Sequence, residues 1–227
     1  MLLPLHALLS QEEVARLRAL IEQAGWVDGN ATSGHQARLV KNNLQLPEES
    51  PEAQQGGQIV LAALARHAGF IAAALPVKIY PPMFNSYAGG QALGLHVDNA
   101  VRPLPRGGTS VRCDLSMTVF LEDPSHYDGG ELTIETAFGV QQVKLGAGDA
   151  VLYPAGSLHR VEPVTRGRRL ASFFWIQSMV RDHEARSALL DLDQSIQQLS
   201  GDLGEGHAGL VKLTGLYHNL LRRWTDV

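Results

Sequence analysis

The chain carries His96-Val97-Asp98 and, 61 residues after Asp98, His159, with Arg169 a further 10 residues on. Two imidazoles and one carboxylate on a rigid scaffold can occupy one face of a ferrous ion and leave three positions open. An arginine beyond the third ligand can hold the far carboxylate of a bidentate 2-oxo acid, because its planar fork meets a carboxylate in two parallel hydrogen bonds. The spacing therefore points to Fe(II)/2-oxoglutarate chemistry, with His96, Asp98 and His159 as metal ligands. The donor set agrees. Nitrogen plus one oxygen without thiolate does not favour a structural zinc site, and calcium or magnesium would want more oxygens.

A single His-x-Asp is a weak signal among nine histidines, and a second copy stands at His126-Tyr127-Asp128. There Gly129-Gly130 follows the aspartate, which reads as a turn leading into a strand. The longer separation of His96 from His159 suits a double-stranded helix, in which strands distant in sequence lie side by side near the mouth. His6, His35, His67, His183, His207 and His218 lack partners at ligand spacing.

Arg166, Arg168 and Arg169 compete for the oxo-acid anchor. On the strand that follows, Arg169, Ala171, Phe173 and Trp175 share one face, and Arg168, Leu170, Ser172 and Phe174 the other. Both faces are apolar, so alternation leaves Arg169 and Arg168 open. Either closes the charge balance: Fe(II) with Asp98 carries one positive charge, 2-oxoglutarate brings two negative ones, and one arginine restores neutrality. Decarboxylation of the oxo acid to succinate and CO2 would then be coupled to hydroxylation of a substrate by dioxygen.

The 227 residues suit one domain with elaborations. A formal charge of −4 and a pI near 6.1 give no electrostatic reason to expect nucleic acid as a partner. One cysteine, Cys113, rules out an internal disulfide, fits a reducing compartment and is expected in the core. The apolar start lacks a basic region and is too short for a signal peptide or a membrane span, so no membrane partner is expected and the cytoplasm is the expected location.

Ser10-Gln11-Glu12-Glu13 is a capping-box signature, with Val14, Leu17, Leu20 and Ile21 at helical spacing behind it and Gly25 at the expected end. Residues 26–50 read as polar and irregular. Ser50-Pro51-Glu52 starts a second helix to about Ala74, its first half weakened by Gly56-Gly57. From Pro76 short runs rich in β-branched and aromatic residues predict strands at 77–80, 84–87, 115–120, 131–134, 140–144, 150–153, 159–161 and 170–177. Helical texture returns after Met179, breaks between Gly201 and Gly209, and ends in an amphipathic segment through Trp224. The expected fold is α+β, a double-stranded β-helix (jelly roll) core at 76–179 between an N-terminal helical flank at 1–75 and a C-terminal helical extension at 180–227. The last helix, with its apolar stripe, suits a homodimer contact. The loop at 99–113 is expected to be a lid whose arginines, Arg102 and Arg106, are either solvated or turned to an anionic substrate.

The run from Phe84 through Tyr87-Ala88-Gly89-Gly90 to His96-Val97-Asp98 resembles the prolyl 4-hydroxylase-like pattern. Ser116–Leu121, Gly129-Gly130-Glu131-Leu132, Gly148–Pro154, His159-Arg160-Val161 and Gly167-Arg168-Arg169 resemble its later strands. With the tail Leu213–Trp224, the whole chain resembles the bacterial PKHD-type hydroxylases, often associated with iron uptake. The resemblance implies iron on His96, Asp98 and His159, 2-oxoglutarate on Arg169 rather than Arg168, and support of turnover by L-ascorbate. One departure stands out: Arg-x-Ser is common in the broader pattern, whereas this chain reads Arg169-Leu170-Ala171-Ser172, which makes Tyr87 an alternative donor to the oxo acid.

A different class of function is a metal-binding jelly roll without oxygenase activity, an iron sensor or chaperone, which has no need of Arg169. A cupin isomerase or ring-cleaving dioxygenase would want more histidine ligands. A peptide proline, a free amino acid and a siderophore-type small molecule all stay open as substrate.

Overall fold

The computed structural model describes residues 1–32, 40–105 and 107–226, with the side chains of 31 and 32 excepted; His35 and Arg106 therefore lie outside the described residues. Eight strands form the core: β1 (Met83–Ala88), β2 (Ala92–His96), β3 (Leu115–Phe120), β4 (Leu132–Thr136), β5 (Gly139–Val143), β6 (Ala150–Pro154), β7 (His159–Val161) and β8 (Arg168–Ser178). The larger sheet runs β6-β3-β8-β1 and the smaller β5-β4-β7-β2, all pairs antiparallel. Tyr87, Phe120, Val151 and Tyr153 from the first pack against Leu132, Ile134, Val143 and Val161 from the second. This is the expected jelly roll.

Seven of the predicted strands fall on this core. The run at 77–80 is instead an edge strand, Pro76–Ile79, paired with β8. The eighth core strand is β2, which reads as a glycine-rich approach in the sequence. Gly94 is needed there for packing: a Cβ on it would lie 2.7 Å from Val40 Cβ. Residues 26–50 are not wholly irregular. Val27–Asp28 and Leu44–Gln45 extend the larger sheet beyond β1, and Lys41–Asn42 pairs with β2. Such short strands saturate backbone groups that the sheet edges would otherwise leave unpaired.

Helix α1 (Gln11–Glu22) begins with the expected capping box: Ser10 Oγ accepts from the Glu13 N–H at 3.1 Å, and Glu13 Oε2 accepts from the Ser10 N–H at 2.9 Å. It ends at Glu22, before Gly25, and buries Val14, Leu17 and Ile21 on the back of the larger sheet. Each such side chain contributes about 1.5–3 kcal/mol. The single helix expected from 51 to 74 is two, α2 (Pro51–Arg66) and α3 (Ala68–Ala74), bent by 86°. His67 leaves the helical conformation at the bend, and its Nδ1 accepts from the Phe70 N–H at 3.1 Å. Gly56 does not interrupt α2. A Cβ there would sit 2.9 Å from both Leu17 Cδ1 and Phe84 Cζ, so the missing side chain is what lets α2 approach α1 and β1.

Helices α4 (His183–Leu203) and α5 (Ala208–Trp224) form a hairpin. Tyr217, Leu220, Leu221 and Trp224 of α5 pack with Leu75, Val180, Ala185 and Leu189 of the same chain. Asp226 then ties the end of the chain to Arg181 at 2.8 Å and to Arg112 at 3.5 Å. Among the described residues no single helix is long and apolar enough to cross a membrane.

Candidate metal centre and oxo-acid pocket

Antiparallel pairing of β7 with β2 puts His159 directly opposite His96, although 62 residues lie between them in the chain. The ring centroids are 4.2 Å apart. Each imidazole is oriented by the backbone two residues before it: His96 Nδ1 donates to the Gly94 carbonyl at 2.9 Å and His159 Nδ1 to the Ser157 carbonyl, in the turn before β7, at 3.0 Å. That bond fixes the tautomer and leaves each Nε2 as an unprotonated donor toward the centre. Asp98 follows two residues after β2. Its Oδ2 accepts from Ser116 Oγ on β3 at 2.6 Å and lies 3.7 Å from His159 Nε2. One ligand atom from each of His96, Asp98 and His159 falls within 4.8 Å of the others, the spacing a single ion can bridge. Burial, followed by the neighbouring His159, lowers the pKa of His96 below its ordinary value and favours the neutral, ligating ring.

The second His-x-Asp is not in this place. Asp128 pairs with Arg166 at 2.7 Å on the surface, and His126 Nδ1 contacts Glu122 at 2.8 Å.

The three residues line a cavity of about 320 Å³ between the sheets. Arg169 closes its inner end and is 1% exposed. Its Nε donates to the Gly130 carbonyl at 2.9 Å, and its guanidinium stands 5.5 Å and 5.4 Å from the Tyr87 and Phe120 ring centres. Gly130 has a φ of +69°, and a Cβ there would come 3.0 Å from Arg169 Cδ, so glycine makes room for the side chain. No carboxylate among the described residues lies within 4.0 Å of this cation. A buried charge without a counter-ion is costly, and an incoming carboxylate would remove that cost. The Tyr87 hydroxyl beside it is buried without a hydrogen-bond partner, and burial pushes its pKa up to about 12, so it remains a donor. Arg168 points the other way, donating to Ser86 Oγ at 2.7 Å beneath the Trp26 ring.

The structure thus brings His96, Asp98, His159, Arg169 and Tyr87 into one cavity. It adds residues the sequence reading passed over: Ser116 and Thr118 from β3, Asn85 from β1, Tyr153 from β6 and Lys41 from the edge strand beside β2. Ser116 and Thr118 are the polar members of an otherwise apolar buried strand, a signal that was available in the sequence. The expected lid at 99–113 is a hairpin, Val101–Pro103 with Ser110–Arg112, anchored by the Cys113 N–H donating to the Ala100 carbonyl at 2.8 Å. Cys113 is buried as expected, and burial pushes its thiol up to about 12.

The donor set and the unneutralised arginine fit a divalent iron and a 2-oxo dicarboxylate, and the comparisons agree. Residues 82–177 match the 2OG-Fe(II) oxygenase superfamily, and residues 183–226 match the PKHD-type hydroxylase C-terminal domain. A PKHD-type hydroxylase of Burkholderia thailandensis is 57% identical over 226 residues, and PKHD-type hydroxylase PiuC of Pseudomonas aeruginosa is 54% identical over 227, each covering 100% of both chains. Among solved structures, a Pseudomonas putida prolyl-4-hydroxylase superposes with a TM-score of 0.54 at 18% identity, over 78% of this chain and 92% of that one. A viral collagen prolyl hydroxylase in complex with 2-oxoglutarate gives 0.52 at 15%, over 78% and 96%. The last two similarities carry the fold, whereas the full-length relatives carry the family: this chain belongs to the PKHD-type hydroxylases, Fe(II)- and 2-oxoglutarate-dependent dioxygenases.

Proposed function

We propose that His96, Asp98 and His159 hold the iron, that Arg169 with Tyr87 holds the far carboxylate of 2-oxoglutarate, and that the substrate enters from the opposite end of the cavity. The observation that carries this reading is a buried, unneutralised guanidinium in the same cavity as three convergent metal donors. Iron, when bound, supplies the oxygen activation that couples decarboxylation of 2-oxoglutarate to succinate and CO2 with insertion of one oxygen atom into a substrate C–H bond. The chain does the rest by placement. The Gly94 and Ser157 carbonyls hold both imidazoles in the ligating tautomer, and the Ser116 hydroxyl keeps the Asp98 carboxylate aimed at the metal. Arg169 offers two N–H groups to a carboxylate while Tyr87 donates from the side. The surrounding Phe120 and Leu132 side chains exclude water from that pair.

We further propose residues 76–179 as the catalytic core, with 1–75 and 180–227 as its flanks, ascorbate as the reductant that sustains turnover, and the cytoplasm as the location. Each rests on the sequence pattern and the family.

The test is succinate formation by anaerobically Fe(II)-loaded protein given 2-oxoglutarate and then oxygen, wild type beside His159→Ala and Arg169→Ala. The expected result is iron-dependent succinate in the wild type and none in either variant, with Arg169→Ala still binding iron. Iron binding lost on Arg169→Ala, or turnover surviving His159→Ala, would overturn the assignment. Stoichiometric iron without any 2-oxoglutarate binding would favour the sensor reading.

A further inference from the structure

The cavity is lined by two more cations, Lys41 and Arg102, that hold neither the metal nor 2-oxoglutarate in the proposed reaction. Lys41 reaches in from the strand beside β2, and burial, followed by the charge of Arg102, lowers its pKa to about 8. Its Nζ donates to Gln45 Oε1 at 2.9 Å. Arg102, four residues beyond Asp98, is laid over the rings of Trp175 at 4.2 Å and Tyr80 at 4.9 Å. Its Nε is buried without a hydrogen-bond partner, and so is the indole N–H of Trp175, a residue only 6% exposed. Neither cation lies within 4.0 Å of a carboxylate among the described residues. The acidic groups whose charge reaches Lys41 are Asp28, which accepts from the Asn30 N–H at 2.9 Å, and Glu48, which accepts from the Tyr80 hydroxyl at 2.8 Å.

The Arg102–Trp175 part of this cluster is set apart from the arginine at the inner end, while Lys41 is bonded to Gln45, whose register partner Asn85 pairs with Ala171, two residues from Arg169. Arg169 and Trp175 lie on the same face of β8, six residues apart, or about 20 Å along the strand. Ser116, which orients Asp98, is the register partner of Trp175 on β3, so Trp175 and the Arg102 stacked on it flank the metal position on the side away from Arg169. The stacking of Arg102 on two aromatic rings holds its guanidinium in place with its Nε unpaired.

We propose that Lys41, Arg102 and the Trp175 N–H form an anion subsite for the substrate to be hydroxylated, which is therefore a small organic acid bearing a carboxylate. The proposal rests on the assignment of 2-oxoglutarate to Arg169. With that end of the cavity taken, the substrate carboxylate docks on Lys41 and Arg102, and the carbon to be oxidised lies between it and the metal. Phe173, packed edge-on against Trp175 with ring centres 5.8 Å apart, supplies an apolar wall for the body of the acid.

The experiment uses the full chain loaded with Mn(II), which does not turn over, and with 2-oxoglutarate. Its complex is titrated calorimetrically with benzoate and with benzamide, the neutral probe of the same shape. Benzoate is expected to bind at least tenfold more tightly than benzamide without displacing 2-oxoglutarate. Lys41→Met and Arg102→Gln should each remove that preference, and Lys41→Arg should keep it; a 2-oxoglutarate titration of every variant reports whether it has folded. Equal affinity for the two probes, no binding of benzoate, a preference that survives both variants, or benzoate that merely competes with 2-oxoglutarate would overturn the subsite. A wild-type chain that does not bind 2-oxoglutarate at all would overturn the Arg169 assignment, and the subsite with it.

Discussion

Replacing Lys41 with methionine will make the protein more stable at neutral pH, although it removes a hydrogen bond. The lysine is held at a pKa of about 8 against an ordinary 10.5, because its partly buried ammonium is desolvated and faces Arg102. At about 1.4 kcal/mol per pH unit, keeping that charge in the folded state costs about 3 kcal/mol near pH 7. Methionine fills a similar volume without the charge, and losing the bond to Gln45 gives back about 1 kcal/mol, leaving about 2 kcal/mol of net stabilisation. For a chain of this length that is a rise in Tm of about 4–8 °C. The pH dependence carries the sign. Between the folded value of about 8 and the unfolded 10.5, the unfolded chain holds a proton that the native one has lost, so wild-type stability rises with pH across that window. The advantage of the variant must therefore shrink above pH 8 and vanish by about pH 10. Thermal unfolding of metal-free wild type and variant at half-unit steps from pH 7 to 10.5 reads this directly. A variant less stable at pH 7, or a Tm difference flat across the range, would refute the argument that burial and Arg102 outweigh the charges of Asp28 and Glu48 at Lys41.

Other consequences follow from the same geometry. Arg169→Leu will weaken 2-oxoglutarate binding by about 100-fold or more, the loss of a charge-assisted bidentate pair, with Mn(II) affinity kept, as read by calorimetry. Ser116→Ala frees the Asp98 carboxylate and will lower Fe(II) affinity by about 10- to 100-fold in a chelator competition, with the fold intact by circular dichroism. Gly56→Ala drives a methyl group to 2.9 Å from Leu17 and Phe84 and will cost about 1–3 kcal/mol, visible as a lower Tm. Protonation of His96 competes with the metal on acidification, and because burial lowers its pKa this contribution to the loss of affinity moves to lower pH; Mn(II) titrations of wild type from pH 7 to 5 test this.

What the sequence revealed and what it hid divide along physical lines. The strands at 115–120, 150–153 and 170–177 are legible because they are mostly apolar runs broken only by a few small or polar residues such as Ser116 and Thr118, the mark of strands buried on both faces. The His-x-Asp and the later histidine are legible because chemistry fixes their types. β2 was hidden because Gly94, which weakens any local strand signal, is there for contact with Val40. Local alternation could not choose Arg169 over Arg168, because only the pairing of β8 between β3 and β1 decides which face meets the cavity. Lys41, Asn85 and Tyr153 escaped for the same reason. Each is unremarkable among its sequence neighbours and acquires a role only when sheet pairing brings distant segments to one hollow.

The cross-strand meeting of His96 and His159 has a further effect. An ion held by both, and by Asp98, is a clasp that closes a loop of some sixty residues, and no such clasp exists in the unfolded chain. Metal occupancy therefore counts toward folding: an ion at about 100 times its dissociation constant adds about 2.7 kcal/mol. In a cell that degrades unfolded chains, a shortfall of iron would shorten the life of the polypeptide as well as idle its chemistry. The abundance of the enzyme would then follow the supply of its own metal, with no separate regulator required.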